Sequence, residues 1–304
     1  MRNAVLLLTT LALAACATND ATVAPAPSAT AQTSALADWE KWRAEENAAW
    51  SKNKFAILKI DDAVYLKDGQ TAYLTNLKQK MLEYHWTFDK LRAPLARVTY
   101  KGGKALVSVG KKKQSFTLEK LQNVPLRARA DLRFGLTQLD GGTDGLRVMV
   151  YNQEHPAAKH FEGLEHFPYD PNAVVVATFE AAPSLEAVDF QTSRGWLKRI
   201  NRVGYASFTL YGKPVKVGMF SDEKDPAKVK QLSTFFLDDL SGKETYGVGR
   251  YIDVDVDGLP ETLTIDFNRA YNPNCSRSPH YNCPLAIDKI PLAVRAGEKI
   301  PPKH

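Results

Sequence analysis

The densest set of groups able to do chemistry lies near the C-terminus: Tyr246, Arg250, Asp266, Asn268, Arg269, Tyr271 and Asn272. A carboxylate within reach of a mobile proton can act as acid or base, and the guanidinium of Arg250 or Arg269 can hold an anionic group through two parallel hydrogen bonds. Three readings of the cluster stay open: a buried network that ties the loop 271–283 to a sheet, a ligand pocket, and a catalytic site built on Asp266. Strand alternation bears on the choice. Arg250 shares parity with Ile252 and Val254, whereas Asp266 and Asn268 oppose Ile265 and Phe267. Regular strands would therefore turn Arg250 inward and Asp266 outward. A bulge at Gly247 or Gly249 would be needed to bring them together. A buried carboxylate needs a partner, so Asp266 is expected to pair with Arg250 or Arg269 and, with Arg269, to anchor that loop.

Other constellations are weaker. Asp253-Val254-Asp255-Val256-Asp257-Gly258 has the first half of a calcium loop, but the twelfth position, where a bidentate glutamate is required, is Thr264. The aspartates alternate with apolar residues, as in a half-buried strand entering an Asp-Gly turn. Cys275, His280 and Cys283 do not have a recurrent zinc spacing, and two cysteines left over in an exported chain read as a disulfide. His155, His160 and His166 sit on a polar stretch and are expected to be solvated. There is no Gly-x-Ser-x-Gly elbow and no Walker loop, and Gly247-Val248-Gly249 lacks the third glycine of a dinucleotide site. That glycine pair instead suits a tight approach between strands. No metal and no cofactor is expected.

The elements that position these groups read as mainly β. Runs of alternating apolar residues flank short turns at 67–70, 101–104, 140–145, 211–214 and 257–260, and each pair is expected to form a hairpin. A compact Val-rich strand is expected over 173–179, and short helical pieces over 155–161 and 226–233. A short amphipathic helix opens the body, with Asp38 as its cap and Trp39, Trp42, Ala49 and Trp50 near one face. Its polar face is not strongly basic, so the tryptophans are expected to pack on the core and not on a membrane. The expected fold is an antiparallel barrel or sandwich assembly in two regions, 38–165 and 166–304, with the seam at the Pro-rich stretch after Glu165.

The N-terminus carries an address. Arg2 is followed by an apolar run from residue 4 to 15, too short to span a bilayer, and by Leu13-Ala14-Ala15-Cys16. This ending resembles the lipobox of bacterial lipoproteins, which implies cleavage after residue 15 and a lipidated Cys16. Ala17 in the next position implies the outer membrane, facing the periplasm, if the source is Gram-negative. Residues 16–37 are Ala, Thr, Ser and Pro with few large apolar side chains, and read as a disordered tether with a reach on the order of 25 Å. Without Arg2 the chain carries 39 basic and 34 acidic residues. Basic groups cluster at Lys111, Lys112 and Lys113, at Arg127, Arg129 and Arg133, and at Lys198, Arg199 and Arg202. They read first as a solvated surface; the sharper reading, in an envelope compartment, is an anionic partner such as lipopolysaccharide or peptidoglycan, and not nucleic acid.

An ordered set of motifs resembles family 1684 of the domains of unknown function. They are Gly163-Leu164-Glu165-His166-Phe167-Pro168-Tyr169-Asp170-Pro171, Ser241-Gly242-Lys243-Glu244-Thr245-Tyr246-Gly247-Val248-Gly249-Arg250-Tyr251, Asp266-Phe267-Asn268-Arg269-Ala270-Tyr271-Asn272-Pro273, Cys275, Cys283-Pro284, and Ala296-Gly297-Glu298-Lys299. The opening Trp39-Glu40-Lys41-Trp42-Arg43 is similar too. The chain departs from the pattern at Pro279-His280-Tyr281-Asn282 and in its abbreviated tail. The resemblance implies a shared fold and brings no activity. The functional expectation is a lipid-anchored envelope protein with a non-catalytic binding or maintenance role; the alternative is an envelope hydrolase using Asp266 with arginine support. A deep pocket receiving Asp266 with Arg250 or Arg269 would favour the hydrolase or a ligand binder, and a filled interior the other.

Replacing Cys16 by Ser removes the acceptor for the lipid. We expect the wild type in the membrane fraction and Cys16→Ser in the soluble envelope fraction; identical partitioning of the two would refute lipidation.

Overall fold

The computed structural model describes residues 29–76, 83–127 and 129–301. The Leu13 to Cys16 motif, the signal segment and the first part of the tether lie outside the described residues. The helix α1, Ala29–Ser51, begins earlier than expected, so residues 29–37 are helical and Asp38 is not its cap. The tryptophans do pack inward. Trp39 and Trp50 are buried, and the Trp39 indole N–H donates to the backbone carbonyl of Asn268 at 2.9 Å.

The first β unit is two sheets folded over one core. One sheet has the order β1 (Ile60–Leu66), β9 (Asp144–Asn152), β8 (Ala130–Gln138), β7 (Gln122–Arg127). The other has the order β3 (Tyr84–Thr87), β2 (Thr71–Asn76), β4 (Ala96–Lys101), β5 (Lys104–Val109), β6 (Lys112–Thr117). Their inner faces follow the period of two: Val64 and Leu66, Val98 and Tyr100, Leu132 and Phe134, and Val148 and Val150 meet in one cluster. The hairpins across 101–104 and 140–145 form as expected. The turn at Asp68-Gly69 does not join a hairpin. β1 pairs with β9 and β2 with β3 and β4, so this turn is a corner between sheets. The Asp68 carboxylate accepts the Gly102 N–H at 2.6 Å, which fixes the corner against the neighbouring turn. Where β1 and β3 fail to pair, side chains bridge the gap: Asp61 accepts the Tyr84 N–H at 3.0 Å and Asp62 the Trp86 N–H at 2.7 Å.

The second unit is a sheet of order β14 (Arg250–Asp255), β13 (Gln231–Leu237), β12 (Lys213–Ser221), β11 (Leu197–Leu210), β10 (Val174–Gln191), β15 (Thr262–Asp266). It curls until β14 and β15 approach, giving a nearly closed barrel. The turn at Asp257-Gly258 therefore crosses the seam and joins no hairpin. Just past β15 the seam is closed by Tyr251 and Tyr271, whose backbones exchange two N–H to carbonyl bonds of 2.9 Å. The Val-rich run opens an 18-residue strand, bent where its register with β11 shifts between Ala181 and Glu186. The expected helical piece at 226–233 is a single turn, Pro226–Lys228, followed by β13. α2, Pro156–Lys159, keeps its expected place, with the His155 ring accepting the Ala157 N–H.

The barrel interior is filled. Val175, Phe208, Val217, Phe236, Ile265 and Phe267 from the wall meet Ile290, Leu292, Val294 and Ala296 from the C-terminal segment, which plugs it. That segment enters the barrel from a short parallel pairing, β16 (Asp288–Lys289) beside β13.

Candidate functional site

The seven polar residues singled out above separate into three places. Arg250 begins β14 with its side chain inward, as the parity argument requires, and is 1% exposed. Its Nη2 donates to Asp238 Oδ2 and to the Val294 carbonyl, both at 3.0 Å; Nη1 donates to the carbonyls of Ala296 and, at 3.5 Å, Glu298. Asp238 was not singled out from the sequence. It also accepts the hydroxyls of Ser241 and Thr245 at 2.9 Å and the Val294 N–H at 3.2 Å. Its only signal in the sequence is an acid at a strand end with hydroxyls three and seven residues on. Burial pushes the Arg250 pKa down and the Asp238 charge opposes it.

Gly249 has φ of +102°, and a Cβ there would lie 2.3 Å from Ala286 Cβ and 2.8 Å from the Phe236 carbonyl oxygen. Only glycine lets β14 start this close to its neighbours. Gly297 plays the same part for the C-terminal segment, at φ of +80° and with a Cβ position 2.6 Å from the Ala270 carbonyl oxygen. Glu298 follows it, wholly buried, accepting the Asn272 N–H at 2.7 Å with Arg277 Nη2 at 3.6 Å. Burial pushes the Glu298 carboxyl up to about 7 against these donors. Asn272 also donates to the Lys299 carbonyl at 2.7 Å. The loop is therefore held by Asn272, Arg277 and the Tyr251–Tyr271 bridge.

Asp266, Asn268 and Arg269 form the second place. Asp266 Oδ1 accepts both the backbone and the side-chain N–H of Asn268 at 2.9 Å, capping the turn Phe267–Arg269. Asn268 pairs in both directions with the Asp170 backbone at 2.8 Å. Arg269 Nε lies 3.4 Å from Asp266 Oδ2, and its guanidinium sits 5.7 Å from the Trp42 ring centre. Asp266 and Arg269 do meet, and what they seat is α1 and the segment around Asp170, not the loop 271–283. They line a groove of about 360 Å³ without Arg250. His166 is not solvated as expected. It lies edge-on between Trp39 and Trp42, and burial pushes its pKa down to about 4.

The third place holds Tyr246 and Tyr271. Tyr271 donates to Asp253 Oδ2 at 2.7 Å, and Ser233 to Asp253 Oδ1 at 2.5 Å. Tyr251 donates its hydroxyl to the Pro284 carbonyl. With Ile200, Phe220 and Phe235, Tyr251 and Tyr271 form the floor of a cleft of about 530 Å³ on the outer face of the barrel. It opens where β12 and β13 are paired at a single position, Phe220 with Ser233. Lys198, Lys228 and Lys230 stand on its rim with Asp222 and Glu223. Lys228 pairs with Asp225 and Lys230 with Asp257, while Lys198 has no ion partner among the described residues. Arg199 and Arg202, its companions in the basic cluster, are taken by Asp189 and Glu186.

Behind the cleft lie Cys275 and Cys283, as thiols in hydrogen-bonding contact, with the Cys275 N–H donating to Cys283 Sγ at 3.3 Å. The Cys283 contact holds the Cys275 thiol down to about 7, and contacts with Ser193 and Tyr246 act the same way. Burial, followed by the contact with Cys275, pushes the Tyr246 hydroxyl up to about 12. His280 turns away from the sulfurs, its Nδ1 3.6 Å from Asp62 Oδ1. Among the described residues no three acidic, histidine or cysteine side chains converge as a metal site. Asp253, Asp255 and Asp257 are each engaged by a side chain of β13 or its approach.

Removing one member of a buried ion pair strands the other, at a cost of about 3–5 kcal/mol. Arg250→Met should therefore lower unfolding free energy by about that amount in urea titrations, and adding Asp238→Asn should restore part of it. Wild-type stability in Arg250→Met would contradict the network.

The family described as "Protein of unknown function (DUF1684)" matches residues 159–299. No curated protein matches the chain. Among solved structures it is similar to an uncharacterized protein of Haloarcula marismortui, determined in solution by NMR. The identity is 33%, over 47% of this chain and 80% of that one, with a TM-score of 0.40. The matched region contains the barrel, the Arg250 network and the outer cleft; the two-sheet unit precedes it. Residues 159–299 of the chain belong to the DUF1684 family.

Proposed function

We propose that this protein is an envelope lipoprotein, anchored through Cys16, whose barrel is a non-catalytic module that binds an anionic glycan of the envelope in the cleft beside Lys198. One observation carries the reading. The groups that could have done chemistry are engaged in holding the fold, while Lys198, on the rim of an outer cleft, has no ion partner among the described residues. The barrel interior is packed, and Asp266 is engaged as a turn cap, which favours binding over hydrolysis. Ser221, Gln231 and Ser233 beside Lys198 supply polar contacts, the aromatic floor an apolar one, and Lys198 the charge for a carboxylate or phosphate. The Ala- and Pro-rich composition of the residues before the helix supports presentation near a membrane.

In an oxidising compartment, Cys275 and Cys283 would join into a disulfide that closes the loop behind the cleft. The chain-entropy model gives such a link about 2.5 kcal/mol.

Calorimetric titration with soluble muramyl-peptide fragments and with lipopolysaccharide tests the site. We expect at least one to bind, and Lys198→Glu to weaken that binding about tenfold or more with no change in melting temperature. No binding of either probe, or no effect of Lys198→Glu, would reject the cleft. Intact mass before and after thiol alkylation, on protein taken from the envelope, tests the disulfide: the mass should stay unchanged unless a reductant is added, and two alkylated thiols would exclude the bond.

A further inference from the structure

A second cleft, of about 580 Å³, lies on another side of the molecule, between α2 and the loop 271–283. Its walls are Leu58, Pro156, Ala157, Phe161 and Leu164. Among the described residues Arg277 is the only arginine or lysine lining it. Its side chain is 4% exposed, and its guanidinium lies 5.9 Å from the centre of the Trp50 ring and 5.8 Å from that of Phe161. Its Nε, like the hydroxyls of Ser276 and Ser278 nearby, has no protein partner. Its one ion partner, Glu298, is 3.6 Å away, beyond a good hydrogen bond.

A buried guanidinium with an unused Nε donor at the edge of an apolar hollow is an incomplete arrangement. A buried charge with only a loosely held partner is costly, and a planar guanidinium accommodates a carboxylate with two parallel bonds. The groups facing it limit what completes it. Glu298 lies behind it, and its carboxyl, pushed up to about 7 by burial, compensates the arginine only in part near neutrality. His166 lies on the same side, with its pKa pushed down to about 4 by burial, and is neutral there. Across the cleft stand His160, Glu162 and Glu165, and the two glutamates would repel a second negative charge at the mouth. What fits is one anionic head on an uncharged, apolar body.

We infer that this cleft is a binding site for a small amphiphilic monoanion, an acyl carboxylate, whose head is held by Arg277 and whose chain lies against Phe161, Leu164 and Leu58. This site is separate from the Lys198 cleft and does not depend on the reading given to it.

Decanoate, 1-decanol and acetate are the probes, titrated calorimetrically into the full chain carrying Cys16→Ser. Decanoate is expected to bind at least tenfold more tightly than either decanol, which lacks the charge, or acetate, which lacks the chain. Arg277→Met should lower decanoate affinity at least tenfold and leave decanol unchanged. Ala157→Trp, at an exposed position of α2, fills the cleft without touching the ion pair, and should abolish decanoate binding with the melting temperature retained. It keeps the test decisive if Arg277→Met does not fold. Absence of decanoate binding, equal binding of decanoate and decanol, or undiminished decanoate binding in either folded variant would overturn the assignment.

Discussion

The buried guanidinium of Arg250 is the constraint on which the second unit depends. A charge taken wholly out of water must find a counter-charge and enough acceptors to replace its hydration. Asp238 supplies the first; the carbonyls of Val294, Ala296 and Glu298 supply the rest. Those carbonyls belong to the C-terminal segment, so the segment must enter the barrel and stay. Once it is there, Ile290, Leu292 and Val294 fill the interior and Glu298 is delivered beneath Asn272 and Arg277. The same interaction thus closes the barrel to ligands and sets the position of the loop that shapes both outer clefts.

The loop 271–283 also joins the two β units. Tyr65 donates to the His280 carbonyl at 2.9 Å, Arg194 to the Pro279 carbonyl at 2.9 Å, and Arg147 lies 5.1 Å from the centre of the Tyr281 ring. Tyr271 at one end closes the barrel seam, and Cys275 and Cys283 bring the loop back on itself. Residues with little apolar surface are held here by many directional contacts with both units. A change at the thiol pair would consequently be felt at Arg277 on one side and at the first β unit on the other.

The helix α1 belongs by contact to the second unit although it precedes the first in the chain. Trp39 and Trp42 enclose His166, Asn47 accepts the Leu164 N–H at 2.8 Å, and Trp50 covers Arg277. A tether attached to this helix would therefore hold the family region directly, with the two-sheet unit carried beside it.

Much of this was legible from residues alone because its cause is local. Alternation with period two reports which face of a strand is apolar wherever the strand ends up, so the mainly β fold and the inward turn of Arg250 follow from the sequence. The hairpins at 101–104, 140–145 and 211–214 follow from turn residues joining two such runs. The turns at Asp68-Gly69 and Asp257-Gly258 carry the same local signal and end as a corner and a seam crossing, because partner choice rests on which distant strand offers the better inner face. The polar cluster divided for a similar reason. Nearness in sequence grouped Arg250 with Asp266, but opposite parity sent one into the barrel and left the other capping the turn Phe267–Arg269. Asp238, Arg277 and the raised pKa of Glu298 came only from the tertiary structure, since a charge's partners and its burial are set by segments tens of residues away and no local pattern encodes them.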